Sequence, residues 1–173
     1  NISKFIVIVP SNAIRSGTIK NIAITKEYFK EYNKNISVFD SNNVYGFIHS
    51  SNQNINVLIT TFQAFNKSSN TIHKNNIEQN LFGNATSYID AIKNLRPIII
   101  IDEPHRADGD KTQKALKKFE APLTIRFGAT FNDYKNLIHS LDSAKAFKDG
   151  LVKSITVNAI GTNFNISLKY LGN

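Results

Sequence analysis

Four consecutive isoleucines, Ile98 to Ile101, bounded by Pro97 and by the acid pair Asp102-Glu103, constrain the fold of this chain more than any other segment. An apolar run without alternation reads as a strand buried on both faces, the kind found inside a parallel sheet. In open α/β sheets ligands bind beyond the carboxyl ends of the strands, so such a strand delivers Asp102 and Glu103 to a binding rim. Two adjacent carboxylates there suit a Mg²⁺–nucleotide site, one acid holding the hydrated metal and the other orienting or deprotonating a water. The bland alternative is a core strand that ends in a solvated surface turn, and this segment alone does not choose between them.

Three other apolar stretches break off in the same manner. Ile6 to Val9 runs into Pro10-Ser11-Asn12-Ala13-Ile14-Arg15-Ser16-Gly17, Val57 to Thr61 into Phe62-Gln63-Ala64-Phe65-Asn66, and Leu123 to Phe127 into Gly128-Ala129-Thr130. Between them lie segments with helical spacing. One begins near Ala13, capped by Ser11 or Asn12, and carries Ile19, Ile22, Ala23, Phe29 and Tyr32 at helix-like spacing, ending by Asn33-Lys34-Asn35. Thr86 to Leu95, Thr112 to Phe119 and Asn136 to Phe147 read as helices, and Tyr45 to His49 as either a short strand or a helical turn. Ile36 to Phe39, Lys153 to Ile160 and Phe164 to Tyr170 read as further strands, and the polar stretch 66–84 as a loop. Alternating strands and helices predict a parallel α/β sheet. Phe62 and Phe65 are expected in the core rather than as base-stacking platforms.

Composition narrows the partners. The 173 residues suit one domain, 41% hydrophobic and 20% charged, and no apolar run approaches the roughly 20 residues that span a bilayer. With no cysteine, disulfides and thiolate zinc sites are excluded, which fits a reducing cytoplasm. The net charge of +8 favours an anionic partner, nucleic acid first. An Asn-, Ile- and Lys-rich coding bias also inflates that charge. Lys111, Lys114, Lys117 and Lys118 are expected to form a solvated helix face rather than a DNA-binding surface. His105 beside Asp102, Glu103, Asp108 and Asp110 raises a rival reading as a carboxylate–histidine metal hydrolase, but no paired-histidine motif supports it.

The ordered set of strand ends resembles the first motor domain of superfamily 2 helicases and translocases. Asp102-Glu103-Pro104-His105 is similar to that family's Walker B (DEAD/DEAH-type) motif, and Gly128-Ala129-Thr130 to its motif III. Pro10 to Gly17 is similar to motif Ia, and Thr60 to Asn66 lies where motif Ib would. Arg96 to His105, Ile125 to Phe131 and Ser140 to Ile155 together look like the restriction (Res) subunit of type III restriction–modification systems. The likeness runs from about Phe5 to Ile160. It implies that residues 1–160 form a partial RecA-like domain, a parallel sheet with flanking helices, and that 161–173 extend toward the next domain.

The resemblance also implies roles. Asp102 would contact Mg²⁺ through water, and Glu103 would polarise the water that attacks ATP. His105, Gly128, Ala129 and Thr130 would couple nucleotide state to the nucleic-acid path. Ser11, Asn12, Arg15, Thr60, Thr61, Gln63 and Asn66 would touch the DNA backbone. The partners implied are DNA and a modification (methyltransferase) subunit, with no membrane and a cytoplasmic setting. No G-x-x-x-x-G-K-[ST] phosphate loop occurs in the sequence. The chain therefore reads as a fragment inactive alone, whose sheet would lack the phosphate-loop strand, an interior one in this fold. Two other readings stay open: a non-catalytic DNA-binding or assembly module, and the motor of a type I restriction enzyme or DNA-repair helicase.

Overall fold

The computed structural model describes residues 2–25, 27–28, 36–66, 87–131 and 136–152, the side chains of residues 65, 66 and 107 apart. It falls into two units, 1–133 and 134–173. The first is built on five strands: β1 (Lys4–Val9), β2 (Ile36–Asp40), β3 (Ile55–Thr61), β4 (Ile98–Asp102) and β5 (Leu123–Phe127). All neighbours are parallel, in the order β2-β3-β1-β4-β5. The isoleucine run is thus an interior strand, as its composition demands, and the unit is a RecA-like α/β arrangement.

Helix α1 (Asn12–Thr25) joins β1 to β2, and α2 (Val44–His49) joins β2 to β3. Helices α3 (Phe62–Asn66) and α4 (Tyr88–Asn94) lie between β3 and β4, and α5 (Asp110–Lys117) between β4 and β5. The segment 45–49, ambiguous in sequence, is helical, with the Asn43 side chain accepting from the Gly46 N–H. The chain passes from β1 across β3 to β2, then returns through β3, β4 and β5 in the opposite sense. Right-handed crossovers therefore place α1 on one face and the later helices on the other. The core follows that division. Ile6, Ile8, Leu58, Ile99 and Ile101 pack with Val44, Phe47, Ile89, Ile92, Ala115 and Phe119.

The face of α1 is poorer. That helix contacts β1 and β3, with Ile19 and Ile22 half-buried, but fully buries none of its residues and leaves Ile14 and Ile24 exposed. Phe29 and Tyr32 lie outside the described residues. Beneath α1, Val9 and Ile59 are buried, whereas Ile98, Ile100 and Ile125 on the same face are only half-buried. Leu123 and Phe127 of edge strand β5 are 48% and 58% exposed. A gap in the middle of the sheet is not found. Among the described residues the five strands are contiguous, with β2 and β5 at the two edges.

In the second unit the helix is shorter than its periodicity predicts. Residues 137–142 are irregular, and α6 spans Ser143–Lys148. Asp142 caps its start by accepting from the Lys145 N–H at 2.7 Å. Gly150, at φ 70°, ends it with the Leu151 N–H on the Ala146 carbonyl and the Gly150 N–H on that of Phe147. The Asp142 cap accounts for the late start, while at its other end the helix runs one residue past Phe147 before Gly150 stops it. The strands expected at 153–160 and 164–170, and the loop at 66–84, fall outside the described residues apart from Asn66.

At the amino end of the sheet Lys4 is buried, 2% exposed. Its ammonium donates to the carbonyls of Phe47 and Ser50, each at 2.8 Å, and to Ser50 Oγ at 2.6 Å, and lies 5.3 Å from the centroid of the Phe47 ring. Burial lowers its pKa below the ordinary lysine value, while the three oxygens retain the charge. The cation thereby ties β1 to the last carbonyls of α2, where the helix dipole also favours it. Lys4→Met keeps the apolar stem and removes these bonds. It is expected to lower the unfolding free energy by about 2 kcal/mol, charged-donor bonds being worth ~1.5–3 kcal/mol. Urea denaturation monitored by circular dichroism checks this, and an unchanged midpoint refutes it.

Candidate functional site

Parallel pairing in register brings every strand end to one rim. Val9 lies beside Thr61, Ile8 beside Ile101, and Asp102 beside Phe127. The segments that follow, from Ser11, Phe62, Glu103 and Gly128, therefore leave the sheet at the same edge. Asp102 and Glu103 end β4, and Gly128-Ala129-Thr130 follow its neighbour β5, so the two motifs are adjacent. Asp102 is half-buried and shares a face with Ile98 and Ile100, the less covered side of the sheet.

Glu103 adopts the left-handed conformation, φ 52° and ψ 62°, uncommon for any residue with a Cβ. Proline at 104 adds to the demand, since it disfavours the right-handed helical region for the residue before it. Three contacts hold the turn. The Glu103 N–H donates to the Phe127 carbonyl at 2.9 Å, the Arg106 N–H donates to the Glu103 carbonyl at 3.1 Å, and Pro104 is buried against Gly128. A Cβ on Gly128 would fall 2.8 Å from Pro104 Cδ. A 3₁₀ turn, Pro104–Ala107, then carries His105 back toward Glu103, Nδ1 standing 3.2 Å from Oε2. That approach is close, but it lacks hydrogen-bond alignment and leaves Nδ1 buried without an acceptor or donor. Gly128, Ala129 and Thr130 are exposed.

Across the rim, Ser11 takes the N-cap role, its Oγ accepting from the Ile14 N–H at 3.3 Å and its carbonyl from the Arg15 N–H at 2.9 Å. Asn12 is exposed at the start of α1. The Arg15 guanidinium donates through Nη1 to Ser41 Oγ at 2.5 Å, while its Nε is buried and unpaired. Ser41 belongs to the turn after β2, where the Asp40 carboxylate accepts from the Asn42 N–H. The polar cluster after Phe39 marks that turn in the sequence, but nothing there links it to Arg15.

Thr60 and Thr61 are corrected by burial. They are 0% and 5% exposed and present no surface to a nucleic-acid strand in this arrangement. Strand alternation turns successive side chains to opposite faces, and helices cover β3 on both. Thr60 Oγ1 has no hydrogen-bond partner. Gln63 is exposed, the Asn66 side chain lies outside the described residues, and Phe62 is buried, as expected of a core residue. Lys111, Lys114, Lys117 and Lys118 are all exposed. Among the described residues no three His, Asp or Glu side chains are grouped to ligate a metal directly, so the carboxylate–histidine hydrolase finds no ligand set. A single carboxylate meeting Mg²⁺ through water requires no such group. Nor, among the described residues, is any helix long and apolar enough to cross a membrane.

The first unit is thus a RecA-like sheet whose interior strand delivers an acid pair beside a Gly-Ala-Thr loop. The family described as type III restriction enzyme, res subunit, matches residues 1–133. The chain belongs to that family. It is 35% identical to the Res subunit of the type III restriction-modification enzyme EcoP15I of Escherichia coli, and 34% identical to that of EcoPI of Escherichia phage P1. It is also 28% identical to the StyLTI Res subunit of Salmonella typhimurium strain LT2. In each case the match covers 89% of this chain, which spans only 18–19% of the relative's length.

The turn at Glu103 yields a prediction about strain. Glycine enters the left-handed region without the steric cost of roughly 1–2 kcal/mol that a side chain bears there. Glu103→Gly is therefore expected to unfold at no lower temperature than the parent chain, whereas Glu103→Val, β-branched, is expected to unfold earlier. Thermal unfolding of the three chains compares them. A clear loss of stability in Glu103→Gly would show that the carboxylate, not the backbone, maintains the turn.

Proposed function

We propose that this chain is part of the ATP-dependent motor of a type III restriction endonuclease, in which ATP hydrolysis drives action on DNA with a modification subunit as partner. The observation that carries the reading is the adjacency of Asp102-Glu103 and Gly128-Thr130 at the ends of paired strands. Half-buried carboxylates on a rim fit a hydrated Mg²⁺ better than direct multidentate ligation does. Bound with the nucleotide, Mg²⁺ supplies charge neutralisation at the phosphate oxygens.

Each residue has a stated task. Asp102 holds the metal's hydration shell. Glu103 accepts a hydrogen bond from the attacking water and takes its proton as general base. In the structure the Glu103 carboxylate stands 3.2 Å from His105 Nδ1 without hydrogen-bond alignment, so nothing there holds it against a move toward the attacking water. Thr130, exposed on the next loop, senses that change, and His105 passes it toward the next domain. Ser11, Asn12, Arg15 and Gln63 contact the DNA backbone, reading charge and shape rather than sequence. The phosphate loop that the 173 residues lack enters on a strand added at the outer edge of β5, beside the exposed Leu123 and Phe127.

The test uses a polypeptide of the relatives' length, carrying a phosphate loop. Glu103→Gln is expected to lower ATP turnover by ~10²–10⁴-fold, the usual worth of a positioned general base, while DNA affinity is kept. Arg15→Ala should weaken DNA binding and flatten its salt dependence, with hydrolysis without DNA unaffected. Unchanged turnover in Glu103→Gln would overturn the catalytic assignment and favour a DNA-binding module without chemistry.

A further inference from the structure

Pro104 belongs to none of the roles assigned above, yet it packs where a side chain on Gly128 would stand. Its ring is buried against Gly128, whose missing side chain leaves the space that Cδ and Cγ take up: a Cβ there would lie 2.8 and 3.5 Å from these atoms and 3.6 Å from the Thr130 carbonyl oxygen. A contact under 3 Å to a ring fused to the backbone cannot be relieved by rotating a side chain. The ring is also one bond along the chain from Glu103, whose left-handed backbone is the most constrained point of the site. One residue earlier, the same turn is tied to β5 through the Glu103 N–H and the Phe127 carbonyl. The turn bearing the acid is thus clamped to the end of β5 at two successive residues, once by a hydrogen bond to Phe127 and once by van der Waals packing on Gly128.

We infer that Pro104 is a positioning residue for Glu103: seated in the space left by Gly128, it sets the place of the carboxylate relative to the Gly-Ala-Thr loop. The pair works as lock and socket. Glycine at 128 is required by the ring at 104 rather than by its own backbone, because Gly128 shows no positive φ. This inference rests on the proposed role of Glu103. It adds a residue outside the motif's charged set and a reason why proline and glycine occur together here.

A two-residue cycle in the full-length polypeptide tests it, with steady-state ATP turnover as readout. Gly128→Ala pushes the ring and the acid turn away. It is expected to lower kcat by ~10²-fold, the order that a 1 Å misplacement can produce, with KM for ATP within about two-fold of the parent. Pro104→Ala removes the obstructing ring, so in that background position 128 should become indifferent. Pro104→Ala/Gly128→Ala is then expected to match Pro104→Ala within about two-fold and to exceed Gly128→Ala. A general packing defect would not be relieved by deleting a second buried group.

Parental kcat in Gly128→Ala, or a double variant no better than Gly128→Ala, overturns the inference. Should Gly128→Ala fail to fold, the comparison of Pro104→Ala with the double variant decides, and a clearly poorer double variant refutes the lock. Glu103→Gln is run in parallel. If it hydrolyses ATP normally, the reading of Glu103 fails and the inference with it. If it is dead while Gly128→Ala is normal, the inference alone fails.

Discussion

The site depends on how β4 is held between β1 and β5. Hydrophobic patterning normally specifies strand register, because a slip of one residue exchanges buried and exposed faces. Ile98 to Ile101 offers no such discrimination, since each position carries the same side chain. The register is set instead at the ends of the run. Pro97 cannot donate to a ladder, which discourages extension toward the amino end. At the other end a slip would draw the Asp102 carboxylate into the sheet, at the desolvation cost of an unpaired charge. The Glu103 N–H, bonded to the Phe127 carbonyl, completes the pinning. The acids of the candidate site therefore help to fix the strand that presents them.

Handedness accounts for the asymmetry around that strand. One reversal of direction in the strand order sets α1 apart from the later helices, and among the described residues it packs chiefly on β3 and β1, over Val9 and Ile59. Asp102 lies on this thinly covered side, next in the alternation to Ile100 and beside exposed Phe127. The better core, around Phe47, Ile92 and Phe119, stabilises the other face and carries α2, α4 and α5. Stability and site are thus divided between the two faces of one sheet. The acid pair meets the less protected one, where added chain can both cover apolar surface and approach the carboxylates.

Much of this was legible in the residues. The four strand ends, the parallel sheet and the acid pair on an interior strand follow from uninterrupted apolar runs and their punctuation. What the residues did not show is tertiary. Helix α1 has apolar residues at helix-like spacing, yet its neighbours cover so little of it that Ile14 and Ile24 remain in solvent. Thr60 and Thr61 look like rim hydroxyls because they end a strand, but they are as buried as Ile8 and Val9, their partners on β1. Lys4 gives no hint of burial in an alternating strand, since the acceptors that permit it are carbonyls of a helix more than 40 residues away. Arg15 and Ser41 likewise meet only through the fold.

The turn at Glu103 shows how local preference and function part company. Neither glutamate nor a residue before proline favours the geometry found there. Strain of this kind persists only where the surroundings over-determine it. Here the restraints come from two directions: the Phe127 carbonyl and Gly128 on β5 and the loop beyond it, and the 3₁₀ turn through the Arg106 N–H. A glycine at 103 would satisfy the backbone more cheaply, and a turn whose purpose was only to reverse the chain would carry one. That a carboxylate stands there instead, held half-exposed at the rim beside His105, is the physical argument that the side chain rather than the turn is what the arrangement serves.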